Sequence, residues 1–167
     1  MKKFLAFGFI VVVFFVACDL ASESIEKRAD IELVSMNPMA WVTSEFDTVH
    51  YGTIEQTGFI AMNSVDATII KFVWEYYDIN EVLFFGPFET AIYLKVPGRL
   101  TRGDECECDT VYILNIPLPL DTVRSYAFRN EIYDAYCRFR FIARDDYGWD
   151  SRDTVTADFG FQITPSK

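Results

Sequence analysis

Two stretches near the end of the chain alternate apolar and polar residues with a period of two. The apolar faces carry Cys137, Phe139, Phe141 and Ala143 in residues 137–145, and Val155, Ala157, Phe159, Phe161 and Ile163 in residues 154–164. Because successive side chains of a strand point to opposite faces, each stretch is predicted to be a strand with one face in the core and the other in water. The turn-rich residues 146–150 between them predict a β-hairpin.

The pairing of this hairpin is predicted from a charge pair. Joining Asp145 with Asp153 leaves a loop of seven residues and sets Arg140 opposite Asp158. Opposite charges directly across two strands are favourable. A shift by one residue would turn the polar face into the core, whereas a shift by two keeps the faces and loses only this pair.

Short strands are predicted along the rest of the chain, because Gly, Pro, Asn and Asp interrupt it at short intervals and no stretch keeps a helical period over three turns. The other strand candidates are residues 31–36, 48–51, 54–63, 68–77, 82–85, 90–96 and 111–116. Aromatic residues make up 17% of the chain, which also favours sheet. We therefore predict an all-β fold, an antiparallel β-sandwich of about seven to nine strands.

A motif in the hairpin resembles a known family. The run C-x-F-x-F-x-A-x-D-x-x-G at residues 137–148 resembles the F strand and F–G turn of fibronectin type III and related immunoglobulin-like domains. Trp74, in phase with Ile70 and Phe72, is similar to the buried strand-C tryptophan of immunoglobulin domains. The resemblance implies an immunoglobulin-like sandwich with Trp74 in its core. No cysteine lies in residues 54–63, so the usual disulfide between strands B and F is missing.

The N-terminus resembles the export signal of bacterial lipoproteins. Lys2 and Lys3 precede fourteen uncharged, mostly apolar residues, a run that is too short to span a bilayer and that ends at Ala17-Cys18. A small residue before a cysteine at this position resembles the lipobox, although Phe15 stands where that family usually has leucine. The resemblance implies a signal peptide over residues 1–17 and a lipid (palmitate among its acyl chains) on Cys18. The polar, charge-mixed residues after Cys18 predict a tether to residue 30, and the strand pattern predicts a sandwich domain over 31–167. The resemblance also implies membrane anchoring in the cell envelope, facing the periplasm or the exterior.

The charge of the chain limits its partners. The net charge is −10, and it becomes −12 without Lys2 and Lys3, since 13 basic and 25 acidic residues remain. Nucleic acid is not expected as a partner, because binding it requires a basic surface. Electrostatic adhesion to anionic lipid headgroups is not expected either.

No catalytic motif is found, and the protein is not expected to be an enzyme or to hold a cofactor. His50 is the chain's single histidine, and it is predicted to be a surface or edge-strand side chain. Three cysteines remain when Cys18 is lipidated: Cys106 and Cys108 in an acidic loop, and Cys137, which is predicted to face the core. Their pairing stays open. No metal site is expected, because a structural zinc site needs a second ligand pair and the aspartates around Gly148 lack the spacing of a calcium loop.

Two aromatic residues on the hairpin loop are the candidate ligand contacts. Trp149 and Tyr147 lie near its tip, where exposed rings can stack on sugars or anchor a protein, although Trp149 also has the option of folding back over the core. The leading hypothesis is a non-enzymatic structural or interaction module. The alternative is a small carbohydrate-binding module that uses these aromatics.

Overall fold

The computed structural model describes residues 28–44, 47–102, 105–107, 109–147 and 152–164, with the backbone alone for 100–102 and 105–107. The strands are β1 (Ile31–Asn37), β2 (Ala40–Ser44), β3 (Tyr51–Ala61), β4 (Ala67–Asp78), β5 (Leu83–Val96), β6 (Leu100–Arg102), β7 (Glu105–Glu107), β8 (Val111–Pro119), β9 (Asp134–Asp145) and β10 (Arg152–Thr164). One helix, α1 (Leu120–Asn130), separates β8 from β9.

Two sheets form a β-sandwich, which confirms the predicted all-β fold. One sheet has the order β1-β3-β8 and the other β2-β10-β9-β4-β5, while β6 and β7 form a separate ribbon. With β3 and β8 in one sheet and β4, β9 and β10 adjacent in the other, the strands follow the B, E and C, F, G arrangement of an immunoglobulin-like domain. The core lies between the sheets, where Phe59 of β3 meets Phe141 of β9 with ring centroids 4.9 Å apart. One pairing departs from the antiparallel prediction: β2 runs parallel to β10, because the chain crosses to the second sheet after β1.

The predicted faces of β9 and β10 are largely confirmed. The inward residues of β9 are all buried, including Cys137, and on β10 the burial is complete from Phe159 onward. Burial raises the pKa of the Cys137 thiol well above its ordinary value. This thiol therefore acts as a small core residue.

The predicted register of the hairpin is wrong by two residues. Arg138, not Arg140, lies opposite Asp158, and its Nε and a terminal nitrogen lie 3.0 and 3.2 Å from the two carboxylate oxygens. Arg140 instead lies 3.0 Å from Glu75 of β4. Both registers leave seven loop residues, here 145–151, so loop length did not distinguish them. Arg138 and Arg140 lie on the same face of β9, so the sequence allows either of them to pair with Asp158. Arg138 forms that pair, and Glu75 of the neighbouring strand β4 pairs with Arg140.

A β-bulge in β4 corrects the predicted inner face of that strand. Ile69 and Lys71 pair with consecutive residues of β9, so Ile70 is an extra residue in β4. As a result Ile69, and not Ile70, is buried in the core. Trp74 is partly buried rather than fully buried, between the rings of Phe72 and Phe88 at centroid distances of 5.3 and 5.5 Å.

Several element boundaries also differ from the prediction. Residues 48–50 precede β3 without being a strand. The predicted strands 82–85 and 90–96 merge into the single strand β5, which begins at Leu83 and continues through Gly86-Pro87. The strand β8 runs past Ile116 to Pro119 and forms an edge of its sheet. Proline is tolerated in an edge strand because the backbone N–H that it lacks would face away from the ladder.

Helix α1 was not predicted. Its buried face consists of Leu120, Val123, Ala127 and Arg124. Because Arg124 is charged, the sequence does not show the apolar repeat that predicts a helix.

The sandwich has two distinct ends. The loop end carries residues 28–30, the β3–β4 turn (residues 62–66) and the β9–β10 loop. The helix end carries α1, the β4–β5 turn (residues 79–82) and the start of β9. Ala29 is buried in the core, so packing begins within the stretch expected to be a tether. Over the described ranges, no helix combines the length and apolarity needed to cross a bilayer.

Candidate functional site

The residues singled out in the sequence are only partly visible. Cys18 and Trp149 lie outside the described residues, as do the side chains of Cys106 and Cys108. Tyr147 begins the β9–β10 loop and is 66% exposed. This exposure agrees with a role in surface contact, but without Trp149 it does not define a site.

Two aspartates at the base of this loop, Asp146 and Asp153, are engaged by the protein's own groups. Asp146 accepts a hydrogen bond from the Thr68 hydroxyl at 2.7 Å, and Asp153 accepts one from the backbone N–H of Ile31 at 2.9 Å. Lys95 also lies 3.4 Å from Asp146. Among the described residues, no three histidine, cysteine or acidic side chains converge to hold a metal ion.

His50 is exposed, as predicted, and belongs to a cluster that attaches α1 to the sandwich. Its Nδ1 lies 2.7 Å from Asp121 of α1, and Asp121 also pairs with Arg124. The buried guanidinium of Arg124 donates to Thr43 Oγ1 at 3.1 Å and to the Val49 carbonyl at 2.8 Å. The hydroxyl of Thr43 also donates to Asp47 at 3.3 Å, so the hydrogen bonds of this cluster attach α1 to the region around β2.

The hydrogen bond from His50 and the contacts with Arg124 lower the pKa of the Asp121 carboxyl below its ordinary value. Both groups favour the charged form of the carboxylate. The cluster therefore has a pH dependence that is set by Asp121.

The structure contains a cleft at the helix end, on the outer face of the five-stranded sheet. Its volume is about 220 Å³. The β4–β5 turn supplies one side and the strands β9 and β10 supply the other. The lining residues are Ile79, Glu81, Asp134, Ala135, Tyr136, Arg138 and Asp158.

An aromatic and guanidinium stack forms one wall of the cleft. Tyr136 stacks on Tyr77 of β4 with centroids 5.5 Å apart and ring planes 15° apart. The guanidinium carbon of Arg138 lies 5.2 and 5.3 Å from these two centroids. Hydrogen bonding with Asp158 raises the pKa of Arg138, so its charge is permanent and locally compensated.

The opposite wall is held by a buried carboxylate. Asp78, at the end of β4, accepts hydrogen bonds from the backbone N–H groups of Asn80 and Val82 at 2.8 and 2.9 Å. Glu81 adopts a φ of 61°, a conformation uncommon for a residue with a side chain. The turn therefore presents Ile79 and Glu81 from a fixed backbone.

The cleft is acidic overall, because three carboxylates face one guanidinium. Asp158 is paired with Arg138, whereas Glu81 and Asp134 form no ion pair with any described residue. Burial raises the pKa of the Tyr136 hydroxyl, the guanidinium of Arg138 lowers it, and the carboxylates of Glu81 and Asp158 raise it. The cleft thus favours a positively charged group.

Exposed apolar side chains lie at the same end of the sandwich as this acidic cleft, and Ile79 is part of its lining. Ile79 is 65% exposed, and Val82, Leu83 and Tyr133 are also exposed at the helix end. Sequence reasoning missed the site because its residues are far apart in the chain. The only local signal was tyrosine on the polar faces of two strands, and the pairing of β4 with β9 is what brings Tyr77 beside Tyr136.

No protein family model and no curated protein matches the chain. Among solved structures, the chain is similar to the solution structure of an Arabidopsis thaliana protein, with 12% identity and a TM-score of 0.39 over 85% of this chain and 84% of that one. It is also similar to the periplasmic chaperone SfaE, with 6% identity and a TM-score of 0.36 over 83% of this chain and 59% of that one.

Proposed function

We propose that this protein is a bacterial envelope lipoprotein, anchored through a lipid on Cys18, whose sandwich is a non-enzymatic interaction module. The observation that carries the proposal is the place where the chain enters the domain. Residues 28–30 join the loop end, and the cleft lies at the opposite end.

Three contacts support this entry point. The Arg28 carbonyl accepts a hydrogen bond from the Asn63 side chain, and the Asp30 carbonyl accepts one from the Met62 N–H at 2.8 Å. The Ile31 N–H donates to Asp153 at 2.9 Å. The chain is therefore bound to both the β3–β4 turn and the start of β10.

The dimensions favour a fixed polarity relative to the membrane. The ten residues from Cys18 to Arg28 reach at most about 35 Å when extended. The strand β4 alone has 12 residues, which extend about 40 Å between the two ends. A lipid on Cys18 would keep the loop end near the bilayer and present the helix end to partners.

A non-enzymatic role is supported by the use of His50. The chain's single histidine contacts Asp121, a residue that attaches α1, and it lies outside the cleft. The cleft itself offers charge and aromatic surface, which are features of recognition.

Cys18→Ala tests the anchor. We expect wild-type protein in the detergent phase of a Triton X-114 extraction, and the variant either in the aqueous phase or as uncleaved precursor. Asp19→Asn is the matched control and should stay in the detergent phase. If the Cys18→Ala protein is cleaved after Ala17 and still partitions into detergent, the lipoprotein proposal is wrong.

The polarity has its own test. The lipidated chain would be placed in nanodiscs whose lipid headgroups carry a spin label. The paramagnetic broadening of backbone amide NMR signals would then be compared between residues 62–66 and residues 79–82. We expect stronger broadening at 62–66. Equal or reversed broadening would contradict the proposed polarity.

The alternative function is glycan binding by Tyr147 and Trp149, and the exposure of Tyr147 favours it. A glycan array of the full chain should then show ligands that are lost with Tyr147→Ala. An array without such ligands would exclude the glycan-binding alternative and leave the interaction module as the remaining proposal.

A further inference from the structure

We propose that the cleft binds one lysine or arginine side chain of a protein partner, with the partner's neighbouring apolar residues seated on the exposed rim. The inference rests on the proposed function in that it names the partner of the interaction module. It depends on the cleft and not on the lipid.

Charge is the first argument. Glu81 and Asp134 are unpaired among the described residues, and Asp158 already neutralises Arg138. The cleft therefore keeps an excess of two negative charges. A cation that enters between them gains two attractions without breaking an existing ion pair.

The aromatic wall is the second argument. Arg138 already lies against the rings of Tyr77 and Tyr136 at cation–π distance, so this surface accommodates a guanidinium. Tyr136 also lines the cleft, so a cation bound there would lie beside an aromatic ring.

Size and ligand geometry are the third argument. Small-molecule pockets usually exceed about 300 Å³, whereas this cleft has about 220 Å³, which suits a single side chain. The described carboxylates do not group as metal ligands, so an organic cation fits better than a bare ion.

The rim is the fourth argument. Ile79 on the rim is largely exposed, and Val82 and Leu83 follow it in the chain. Exposed apolar side chains around a charged centre are typical of a protein interface rather than of a sugar or free-ion site.

The test uses the full chain as purified from membranes in detergent micelles, whether or not it carries a lipid, and measures the fluorescence anisotropy of two labelled peptides. One peptide has a central arginine flanked by leucines, and the other has citrulline, the neutral analogue, in its place. We expect the double variant Glu81→Gln with Asp134→Asn to weaken binding of the arginine peptide at least about fivefold. Its binding of the citrulline peptide should not change.

The matched control is Glu32→Gln with Glu55→Gln, which removes the same charge from exposed positions on the other sheet. It should leave both affinities unchanged. Tyr136→Leu keeps the carboxylates, and it should weaken binding of the arginine peptide preferentially. Circular dichroism melts establish that each variant is folded.

The proposal is overturned if the arginine and citrulline peptides bind equally, if the arginine peptide does not bind, or if the control double variant weakens binding as much as the cleft variant. These outcomes are independent of the anchor. A Cys18→Ala protein that still partitions into detergent contradicts the lipoprotein proposal and leaves the peptide result standing, and the converse also holds.

Discussion

Trp74 and Tyr76 occupy alternate inward positions of β4, and they carry polar atoms into the apolar space between the sheets. Trp74 Nε1 and Tyr76 Oη are both buried without a hydrogen bond of normal geometry. Burial also raises the pKa of Tyr76, so this hydroxyl stays neutral. The rings stabilise the core by packing, whereas their polar atoms reduce that gain.

Trp74→Ala is expected to destabilise the fold by about 2–4 kcal/mol, less than for a fully buried tryptophan. The ring packs between Phe72 and Phe88, but part of it remains exposed. Urea denaturation measures the change. A loss below about 0.5 kcal/mol, the size typical of surface substitutions, would contradict this packing.

Tyr76→Phe is expected to leave stability unchanged or to raise it by up to about 1 kcal/mol, because it removes a buried hydroxyl that lacks a hydrogen bond of normal geometry. Tyr126→Phe is the comparison, since the Tyr126 hydroxyl donates to Asp78 at 3.4 Å. Its stability should fall, because this hydrogen bond is removed. A clear loss of stability in Tyr76→Phe would show that its hydroxyl is hydrogen-bonded.

The outer face of β9 combines cross-strand charge pairs with both neighbouring strands. Arg138 pairs with Asp158 of β10, and Arg140 pairs with Glu75 of β4. Helix α1 is attached through two of its polar side chains: Arg124 donates a hydrogen bond to the Val49 carbonyl, and Asp121 contacts His50. Elements that are distant in the chain are thus aligned by a few charged contacts.

A double-mutant cycle tests the register of the hairpin. Arg138→Ala and Asp158→Ala should couple by about 0.5 kcal/mol, since both side chains are partly exposed. Arg140→Ala should show no coupling with Asp158→Ala. Coupling of Arg140 instead of Arg138 would restore the register predicted from the sequence.

The attachment of α1 is expected to weaken in acid. The pKa of Asp121 is lower in the folded protein than in the unfolded chain. Its contribution to stability is therefore complete above the unfolded value of about 3.9, and it is lost as the pH falls through the folded value. Stability would be measured against pH for wild type and Asp121→Asn. The difference should be largest near neutral pH and should shrink below about pH 4; a constant difference would contradict the linkage.

The two ends of the sandwich divide its surface. The chain enters at the loop end, beside paired and capped aspartates, and the helix end carries the acidic cleft with its apolar rim. A single cluster of buried side chains joins the two ends.

Cys137 provides a probe of this shared core. In a variant with Cys106→Ser and Cys108→Ser, and with Cys18 lipidated, it is the remaining thiol of the chain. Because it is fully buried and its thiol pKa is raised, we expect it to react with a maleimide only upon global unfolding. Reaction rates should follow the unfolding free energy across urea concentrations. Rapid labelling in native buffer would indicate local opening of β9.

The sequence by itself determined the fold class, because the alternation of apolar and polar residues along β9 and β10 indicates which face of each strand lies in the core. The same local information predicted the burial of Cys137 and the exposure of His50. A period of two is unchanged by a shift of two residues, so the sequence did not distinguish Arg138 from Arg140 as the partner of Asp158.

Only the tertiary structure decided features that depend on a neighbouring strand or sheet. The bulge at Ile70 exists because β4 must match β9, and α1 buries Arg124 because Thr43 and Val49 accept its hydrogen bonds. The cleft has the same origin. Tyr136 meets Tyr77 and Glu81 through strand pairing and a turn held by Asp78, contacts between residues that are distant in sequence and therefore leave no local pattern.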